Sequence, residues 1–188
     1  MKFMQTASTS FTVRRPSLQD GRRVWRLVRE SSPLELNAPY LYVLLCYHFI
    51  DTCVVAEEDG EIVGFTAAYL PPVRSNSVFI GQIAVHPNCR EQGVAGQMIT
   101  DLLRRDVCAD VCYLEATASP TNEASRALFE SLARRLDSVC DRCSSFPSSL
   151  FGGESHEEEQ LLRIGPFTAL ASIGAANQAA SRGGGDRT

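Results

Sequence analysis

The hydrophobic pattern in the first half of the chain predicts a strand, two helices and then three strands. Alternating apolar and polar positions indicate strands, and apolar positions three and four apart indicate helices. The predicted elements are a strand over 11–14, a helix from its cap Ser17 to about Glu30, a helix from its cap Asn37 through Phe49, and strands over 52–57, 62–70 and 78–85. Asp59-Gly60, between the second and third strands, is typical of a tight hairpin turn, because such turns favour residues that accept a positive φ.

The second half of the chain predicts strands that are linked by helices. The predicted elements are a helix after Gly93 to about Asp106, a strand over 111–117, a helix opening at Asn122 with the stripe Ala124, Leu128, Leu132 and Leu136, a strand near Val139 and a strand over 161–167. The order β-α-α-β-β-β-α-β-α-β-β describes an α/β (α+β) fold with one mixed, mostly antiparallel sheet flanked by helices. A doubly wound sheet is excluded, since no helix separates the second, third and fourth predicted strands.

The two ends of the chain differ in composition from its middle. Residues 11–167 hold all the predicted elements and are expected to form one domain. Residues 1–10 have no apolar core region and predict a flexible leader rather than a signal peptide. Residues 168–188 are dominated by Ala, Gly and Ser and predict a disordered tail.

Composition and charge narrow the range of functions. The chain has 188 residues, of which 44% are hydrophobic and 21% are charged, and this is typical of one globular domain. The net charge of −4 and the lack of a basic cluster argue against a nucleic acid partner and suit a small cationic substrate better. No apolar run approaches the roughly 20 residues that span a bilayer, so no membrane partner is expected.

Seven cysteines are spread through the predicted strands and helices, and an odd number does not complete a disulfide framework. We therefore expect reduced, mostly buried thiols in a cytoplasmic protein. Cys140-x-x-Cys143 has the spacing of half a zinc site, but no second Cys or His pair accompanies it. No metal is expected.

A glycine-bearing loop separates the predicted strand over 78–85 from the helix that follows it. The loop reads Arg90-x-x-Gly93-x-Ala95, with Gly96 next, and comes after Val85-His86-Pro87. Backbone N–H groups at such a helix start can face outward unobstructed by Cβ atoms, which makes an anion site suited to a phosphate or pyrophosphate. Neither a Walker lysine nor a dinucleotide Gly-x-Gly-x-x-Gly is present, and a plain loop with a flexible helix start is the alternative.

This loop resembles the pyrophosphate loop of the GNAT superfamily of acyl-CoA N-acyltransferases, in which Arg/Gln-x-x-Gly-x-Gly/Ala follows a strand ending near Val-x-Pro. Within that superfamily, residues 11–167 resemble the diaminobutyrate acetyltransferases of ectoine synthesis. The motifs that carry this resemblance are Leu34-Glu-Leu-Asn37, Tyr40 with Tyr42, Leu44 to Glu57, Tyr69-Leu-Pro-Pro72, Gln82 to Pro87, Leu114-Glu-Ala-Thr117, Ser119 to Phe129, Leu150-Phe-Gly-Gly153, His156-Glu-Glu-Glu159 and Arg163 to Phe167. So many motifs in one order are more specific than the glycine loop alone.

The resemblance implies that acetyl-CoA donates its acetyl group to the 4-amino group of L-2,4-diaminobutyrate. It implies a sheet splayed between the fourth and fifth strands, with direct attack by the neutral amine in a ternary complex and a strand-four N–H stabilising the oxyanion. The cofactor-binding residues that follow are Ile83 and Val85 along pantetheine, Gln92, Gly93, Val94, Ala95 and Gly96 around the pyrophosphate, and Asn122 as an amide contact to CoA. For Asn122 a helix cap is the alternative role.

The resemblance places Glu35, Tyr40, His156 and Glu159 around the diaminobutyrate. Carboxylates suit the ammonium groups, and an amine whose pKa is near 10 must give up a proton before it attacks. Glu35, His156 and Glu159 are the candidates for the general base, and the choice among them stays open. For 157–159 the alternative is a solvated run of charge.

The chain departs from the family pattern at three positions. Phe129 stands where many GNAT enzymes have the tyrosine that protonates the leaving thiolate, and Gly81 stands where a tryptophan is usual. Glu35 replaces an aspartate. Because Gly81 bears on the choice of substrate, another small diamine or amino acid is the second candidate acceptor, and a catalytically idle CoA-binding module is the third hypothesis. A homodimer is expected by resemblance only.

Overall fold

The structure, a computed structural model, describes residues 11–31, 34, 36–151 and 157–170. Within these ranges, the helices and strands follow one another in the predicted order. Their bounds are β1 Thr12–Arg14, α1 Gly21–Glu30, α2 Pro39–His48, β2 Val54–Glu58, β3 Glu61–Tyr69, β4 Ser77–Val85, α3 Val94–Leu103, β5 Tyr113–Ala118, α4 Glu123–Arg135, β6 Cys140–Phe146 and β7 Glu159–Ile164. The predicted leader (1–10) and residues 171–188 of the predicted tail lie outside the described residues.

The described strands form one sheet in the order β1-β2-β3-β4-β5-β7-β6. Every neighbouring pair is antiparallel except β4 and β5, which are parallel. The predicted mixed, mostly antiparallel sheet is therefore confirmed. The parallel pair is joined through α3, as a parallel connection requires a crossover.

Two apolar cores lie on the two faces of this sheet. On one face α3 and α4 pack over β2 to β5 and β7, through residues such as Met98, Leu102 and Phe129. On the other face α1 and α2 pack over β2, β3 and Ala84 of β4. Gly64 of β3 allows α3 to approach closely, because a Cβ there would lie 2.9 Å from a Val94 methyl and 3.0 Å from the Met98 methyl.

The side chains of β5 and β7 that point away from α3 and α4 form a separate surface, which we call the β5–β7 face. Alternate residues of these strands, from Leu114 to Ala118 and at Leu162 and Ile164, belong to the core under α3 and α4. The intervening residues must therefore point to the opposite side of the sheet. The β5–β7 face consists of Tyr113, Glu115 and Thr117 of β5 with Glu159, Leu161 and Arg163 of β7.

Several predicted boundaries were wrong by a few residues. The cap of α2 is Ala38 rather than Asn37, and it caps through the backbone alone because Pro39 at the first helical position has no N–H to satisfy. The helix predicted to reach Asp106 ends at Leu103, and a 3₁₀ turn over Asp106–Cys108 follows. The strands predicted over 111–117 and 161–167 are Tyr113–Ala118 and Glu159–Ile164.

The buried stripe of α4 also differs from the predicted one. Ala124 is exposed and Leu128 is half-buried, whereas Phe129, Leu132 and Ala133 are buried. Their spacing of three and four residues still matches a helix packed on one face, so the helix was predicted correctly and its orientation was not.

The hairpin turn at Asp59-Gly60 is confirmed. Both central residues have positive φ, 49° at Asp59 and 79° at Gly60, which is the conformation of the turns that join twisted antiparallel strands tightly.

The seven cysteines are free, and four of them (Cys46, Cys53, Cys89 and Cys108) are buried. Burial raises the pKa of Cys46 to about 12 and the pKa of Cys53 and of Cys108 to about 11. These thiols therefore stay protonated at neutral pH and behave as small apolar side chains, as predicted.

A buried aspartate joins the first strand to the first helix. Asp20 accepts two hydrogen bonds from the Arg14 guanidinium, at 2.7 and 3.1 Å, and one from the Ser17 N–H at 2.8 Å. Burial alone would raise the pKa of Asp20. The hydrogen bonds from Arg14 and Ser17, together with the positive charge of Arg14, outweigh burial and hold the pKa at about 2. The carboxylate thus contributes stability above its unfolded pKa near 4 and loses it as the pH falls through 2.

We predict that Asp20→Asn lowers the free energy of unfolding at pH 7 by about 2–4 kcal/mol, because it leaves Arg14 without its main partner. The difference from the wild type should shrink as the pH is lowered from 4 to 2, and urea unfolding at several pH values measures it. Asp51→Asn is the matched control, since Asp51 pairs with Arg15 in an exposed ion pair and should change stability by less than about 1 kcal/mol. Equal losses in the two variants would contradict the prediction.

Candidate active site

The pairing between β4 and β5 ends after four residue pairs. Their parallel pairing runs from Ser77 with Tyr113 to Ile80 with Ala116, after which β4 continues to Val85 and β5 to Ala118. A gap therefore opens in the middle of the sheet between the carboxyl halves of these two strands. The predicted splay between strands four and five is confirmed.

A β-bulge lies where the gap begins. Ala67 pairs with Gln82 and Ala68 pairs with Ile80, so Gly81 is an extra residue on β4. Its effect is visible in the packing of β4, because Ile80 before the bulge and Ile83 after it both contact the core under α3 and α4. The bulge thus shifts the phase of β4 by one residue at the point where the strand leaves β5.

After the bulge, β4 presents peptide groups to the gap. His86 N–H donates to the Val63 carbonyl at 2.8 Å, and in an antiparallel pair every second residue faces its partner in this way. Ala84 and Gln82 are in phase with His86, so the peptide groups of Ile83 and Val85 point towards β5. The Val85 carbonyl accepts hydrogen bonds from Arg90 Nε and Ser31 Oγ, each at 3.4 Å. An extended, peptide-like ligand can pair with this edge as an added strand would.

The start of α3 supplies an anion site next to that edge. Gly93 is the N-cap with φ 79°, and the first intrahelical bond runs from Gln97 N–H to the Gly93 carbonyl at 3.0 Å. The N–H groups of Val94, Ala95 and Gly96 precede that bond and have no intrahelical acceptor. Because α3 follows β4 through the loop 86–93, a ligand lying along β4 reaches these N–H groups, and the helix dipole favours an anion there.

Arginine side chains frame this loop. The Arg90 guanidinium also donates to the Ser31 carbonyl at 3.3 Å and so ties the loop to the end of α1. The Arg135 guanidinium of α4 lies over Gly96, where a Cβ would come within 2.9 Å of its Nη1, and its Nη2 donates to Thr100 Oγ1 at 3.2 Å. The Gln92 side-chain amide donates to the Asn88 carbonyl at 2.9 Å and stabilises the turn.

Two residues of α4 have defined structural roles. Asn122 caps the helix, since its Oδ1 accepts the Ser125 N–H at 3.0 Å, so the alternative reading of this residue is confirmed. Its side-chain N–H₂ remains a candidate contact to CoA. Phe129 is only 2% exposed in the core under α4, and a phenyl ring has no proton to donate.

The structure places one of the predicted substrate residues on the β5–β7 face. Glu159 is the first residue of β7, is half-buried, and precedes Gln160, which pairs with Ala118 at the end of β5. Tyr40 lies in the first turn of α2 and is 70% exposed. Glu35 and His156 lie outside the described residues.

A cavity of about 400 Å³ adjoins the carboxyl end of β5, lined by Pro120, Thr121, Pro147, Ser148, Glu157 and Glu158. Thr121 Oγ1 donates to a Glu157 carboxylate oxygen across it at 2.6 Å. Glu157 and Glu158 are exposed and only Glu159 of the run 157–159 is half-buried, so the first two acids fit the alternative of a solvated charged surface.

One charged cluster near the gap was not predicted. Glu115 of β5 is only 2% exposed and pairs through Oε1 with Arg74 Nη1 at 3.0 Å and with Arg163 Nε at 3.2 Å. The sequence did contain a signal, since Glu115 interrupts an otherwise apolar buried strand, and buried carboxylates are retained only with partners.

Gly81 has room for a side chain. A Cβ on Gly81 would meet its nearest neighbour, the Ala67 carbonyl oxygen, at 3.8 Å, an ordinary contact distance, and the residue is exposed. The fold therefore does not require glycine here, and its presence leaves the mouth of the gap wider than a large side chain would.

Within the described ranges no group of three or more His, Cys, Asp or Glu side chains is arranged to hold a metal ion. The described helices also include none that is long and apolar enough to cross a membrane.

Similarity to known proteins agrees with this geometry. The acetyltransferase (GNAT) family model matches residues 22–133. The chain is 41% identical over 163 residues to an L-2,4-diaminobutyric acid acetyltransferase of Halalkalibacterium halodurans, covering 87% of this chain and 86% of that protein. It is 45% identical over 154 residues to the protein of that name from Marinococcus halophilus, covering 82% and 89%.

A solved structure extends the similarity to three dimensions. It is the diaminobutyrate acetyltransferase of Paenibacillus lautus in complex with its substrate L-2,4-diaminobutyric acid and coenzyme A, with a TM-score of 0.81 at 41% identity over 85% of this chain and 96% of that chain. The split sheet, the α3 start and the family model together define an acetyltransferase of the GNAT class. The chain belongs to the L-2,4-diaminobutyric acid acetyltransferase family, because its sequence identity to these relatives exceeds 40% over more than four fifths of its length.

Two glycines with the same backbone conformation allow the effect of a substitution on CoA binding at the α3 start to be distinguished from its effect on backbone strain. Gly60 and Gly93 both have φ 79°, and a Cβ on either would meet nothing within 4 Å. Alanine at either position should therefore cost about 1–2 kcal/mol of stability through backbone strain alone. We predict that Gly93→Ala also weakens CoA binding about tenfold, whereas Gly60→Ala leaves it unchanged.

Calorimetric titration of each variant with CoA, together with thermal unfolding, measures both effects. Equal CoA affinity in the two alanine variants would show that the α3 start is not part of the CoA-binding site.

Proposed function

We propose that the chain is an acetyl-CoA-dependent N-acetyltransferase that acetylates the 4-amino group of L-2,4-diaminobutyrate, the step that supplies the precursor of ectoine. The observation that carries the proposal is the gap between β4 and β5 beside the exposed N–H groups of α3, in a chain 41% identical to a solved diaminobutyrate acetyltransferase. The gap accepts an acyl-pantetheine arm and the helix start accepts its diphosphate. The assignment of the acceptor rests on the relatives.

Catalysis in this proposal is direct transfer, with both substrates bound together. The thioester lies in the gap, where a peptide N–H of β4 at Ile83 faces the charge that develops on its carbonyl oxygen. The amine of the acceptor enters from the β5–β7 face and attacks the thioester carbon. The protein contributes mainly the positioning of the two reactants, and no nucleophilic side chain is needed.

A general base must take a proton from the acceptor, because an amine with a pKa near 10 is an ammonium ion at neutral pH. Glu35, His156 and Glu159 are the proposed candidates, and Tyr40 is proposed to line the same pocket. The half-burial of Glu159 beside the end of β5 supports its part in binding an ammonium group. The departing CoA thiolate needs no acid, since a thiol pKa near 8.5 makes it a good leaving group, and this is consistent with the buried Phe129.

We propose that the enzyme works in the cytoplasm as a homodimer. The buried, protonated thiols support a reducing compartment. Apolar side chains are exposed just before β6 at Val139, at its end at Phe146 and after it at Leu150 and Phe151. Because β6 is an outer strand of the sheet, this supports an association through that edge.

The second candidate function is acetylation of another small diamine or amino acid. The observation that favours it is Gly81, whose exposed position at the mouth of the gap leaves space for a longer acceptor. A catalytically idle CoA-binding module is the third hypothesis, and it is separated from the others by turnover alone.

The acceptor is identified by release of the CoA thiol from acetyl-CoA in the presence of diaminobutyrate, ornithine, lysine or polyamines. We predict that diaminobutyrate has the highest kcat/KM of these amines, because the similar proteins are named L-2,4-diaminobutyric acid acetyltransferases. A preference for a longer diamine would favour the second candidate. Binding of acetyl-CoA without turnover of any amine would favour the idle module.

We predict that Glu159→Gln, which keeps size and removes charge, raises the KM for diaminobutyrate about tenfold or more and changes that for acetyl-CoA by less than about twofold. Glu158→Gln is the matched control, because Glu158 is an exposed neighbour whose side chain contacts Gln160 at 3.2 Å. Steady-state kinetics with each substrate varied in turn measures the effect. Similar changes for both substrates would place Glu159 outside the acceptor site.

A further inference from the structure

One cluster on the β5–β7 face beside the gap has two guanidinium groups for one carboxylate. The guanidinium groups of Arg74 and Arg163 both approach one carboxylate oxygen, Oε1 of Glu115, at 3.0 and 3.2 Å. Two cations thus share one anion. Glu115 is 2% exposed, whereas the side chains of Arg74 and Arg163 are 46% and 30% exposed, so the carboxylate is enclosed and the cations reach the surface.

Most donors of the two guanidinium groups remain available. Arg74 donates one described hydrogen bond, to Glu115, and Arg163 Nε is buried without a well-formed hydrogen bond. The Arg163 guanidinium is stacked on the Tyr113 ring, 3.8 Å from its centre, which fixes its orientation. Asp141 is the cross-strand neighbour of Arg163, but the two make no ion pair within 4 Å in the described part of the chain. The cluster therefore has room for a second anion.

The position of this cluster relative to the gap suits the length of the acceptor. Glu115 pairs with Phe79 on one side and with Arg163 on the other. The pairing of β4 with β5 ends at Ala116, so the gap opens at the level of Thr117. Glu115 is two residues before Thr117, which is a distance of about 7 Å along the strand. Diaminobutyrate measures roughly 5 Å from its 4-amino nitrogen to its carboxylate carbon, by ordinary bond lengths.

Along β7, opposite charges lie on the two sides of the level at which the gap opens, because Leu161 pairs with Thr117. Glu159, Leu161 and Arg163 are successive side chains on the same side of β7, so a carboxylate and a guanidinium are separated by about 13 Å of strand with an apolar step between them. Diaminobutyrate has the complementary polarity, with two ammonium groups and one carboxylate. The acids proposed so far would hold its ammonium groups, and its carboxylate still needs a cationic partner.

We propose that Arg74 and Arg163, held in place by Glu115, bind the α-carboxylate of the acceptor and so select an amino acid over a simple diamine. The inference rests on the proposed function. Guanidinium groups bind carboxylates through paired, charge-assisted hydrogen bonds, which are stronger than neutral ones. Glu115 acts as a positioning residue, since it touches the arginines and not the reacting atoms.

The test compares diaminobutyrate with 1,3-diaminopropane, which is the same molecule without the carboxylate. In the wild type, diaminobutyrate should have the higher kcat/KM. Arg74→Gln should lower kcat/KM for diaminobutyrate by about ten- to a hundredfold while leaving that for diaminopropane and the KM for acetyl-CoA within about twofold. If diaminopropane is not turned over, its inhibition constant against diaminobutyrate replaces its kcat/KM.

Two further variants guard against a loss of folding. Arg163→Lys keeps the charge beside Glu115 and removes the planar pair of donors, so it should lower kcat/KM for diaminobutyrate selectively without a large change in thermal stability. Arg142→Gln is the control, because Arg142 is an exposed arginine on β6 that pairs with Leu162 and so belongs to the opposite face. It should change neither amine.

The outcomes separate this inference from the proposed function. Normal turnover of diaminobutyrate by Arg74→Gln and Arg163→Lys, or equal losses for both amines, would overturn the carboxylate anchor and leave the acetyltransferase intact. A wild-type enzyme that acetylates diaminopropane as well as diaminobutyrate would also overturn it. Failure of the wild type to acetylate diaminobutyrate would overturn the proposed function, and the anchor with it.

Discussion

The loss of pairing between β4 and β5 is the constraint on which the rest of the structure depends. Four residue pairs hold the two strands at one end, and the bulge at Gly81 ends that pairing. A sheet with unpaired strands in its middle is costly, because the exposed peptide groups need partners. The two halves of the sheet stay together because α3 and α4 pack across them in one core, so the gap persists without closing and without separating.

The chain order places the remaining parts of the site around that gap. β4 leads through the loop 86–93 into α3, so the strand edge and the helix start that are proposed to bind an acyl-CoA come from one continuous stretch. The β5–β7 face comes from a separate part of the chain and carries the charges. This division lets a recurring nucleotide-binding segment be combined with different acceptor pockets, which is consistent with function residing in sites and not in folds.

Much of this arrangement could be predicted from the sequence, for identifiable reasons. The order of elements and the Asp59-Gly60 turn were predicted because periodicity and turn chemistry are local properties. The splay was expected only from the resemblance of the glycine loop and its surrounding motifs. The cap of α2 was missed because a proline start needs no side-chain cap, and Asn37 looked like one.

The cluster that is proposed to anchor the acceptor was harder to predict, because its members come from distant parts of the chain. Arg74 lies in a loop, Glu115 in β5 and Arg163 in β7, and no local pattern indicates which arginine meets which acid. The order of β5, β7 and β6 in the sheet, which is not the chain order, is what brings Arg163 against Glu115. For Glu159 the sequence shows an acid, and its proposed role comes from the resemblance alone.

β6 is exposed along nearly its whole length, yet it fixes the outer edge of β7. Because β7 is clamped between two partners, it cannot slip along either of them. A displacement by a single residue would exchange its two faces, turning Glu159 and Arg163 inward beneath α4 and bringing Leu162 out. A strand with no side chain in the proposed acceptor site thus preserves the order of charges that a dipolar substrate would meet.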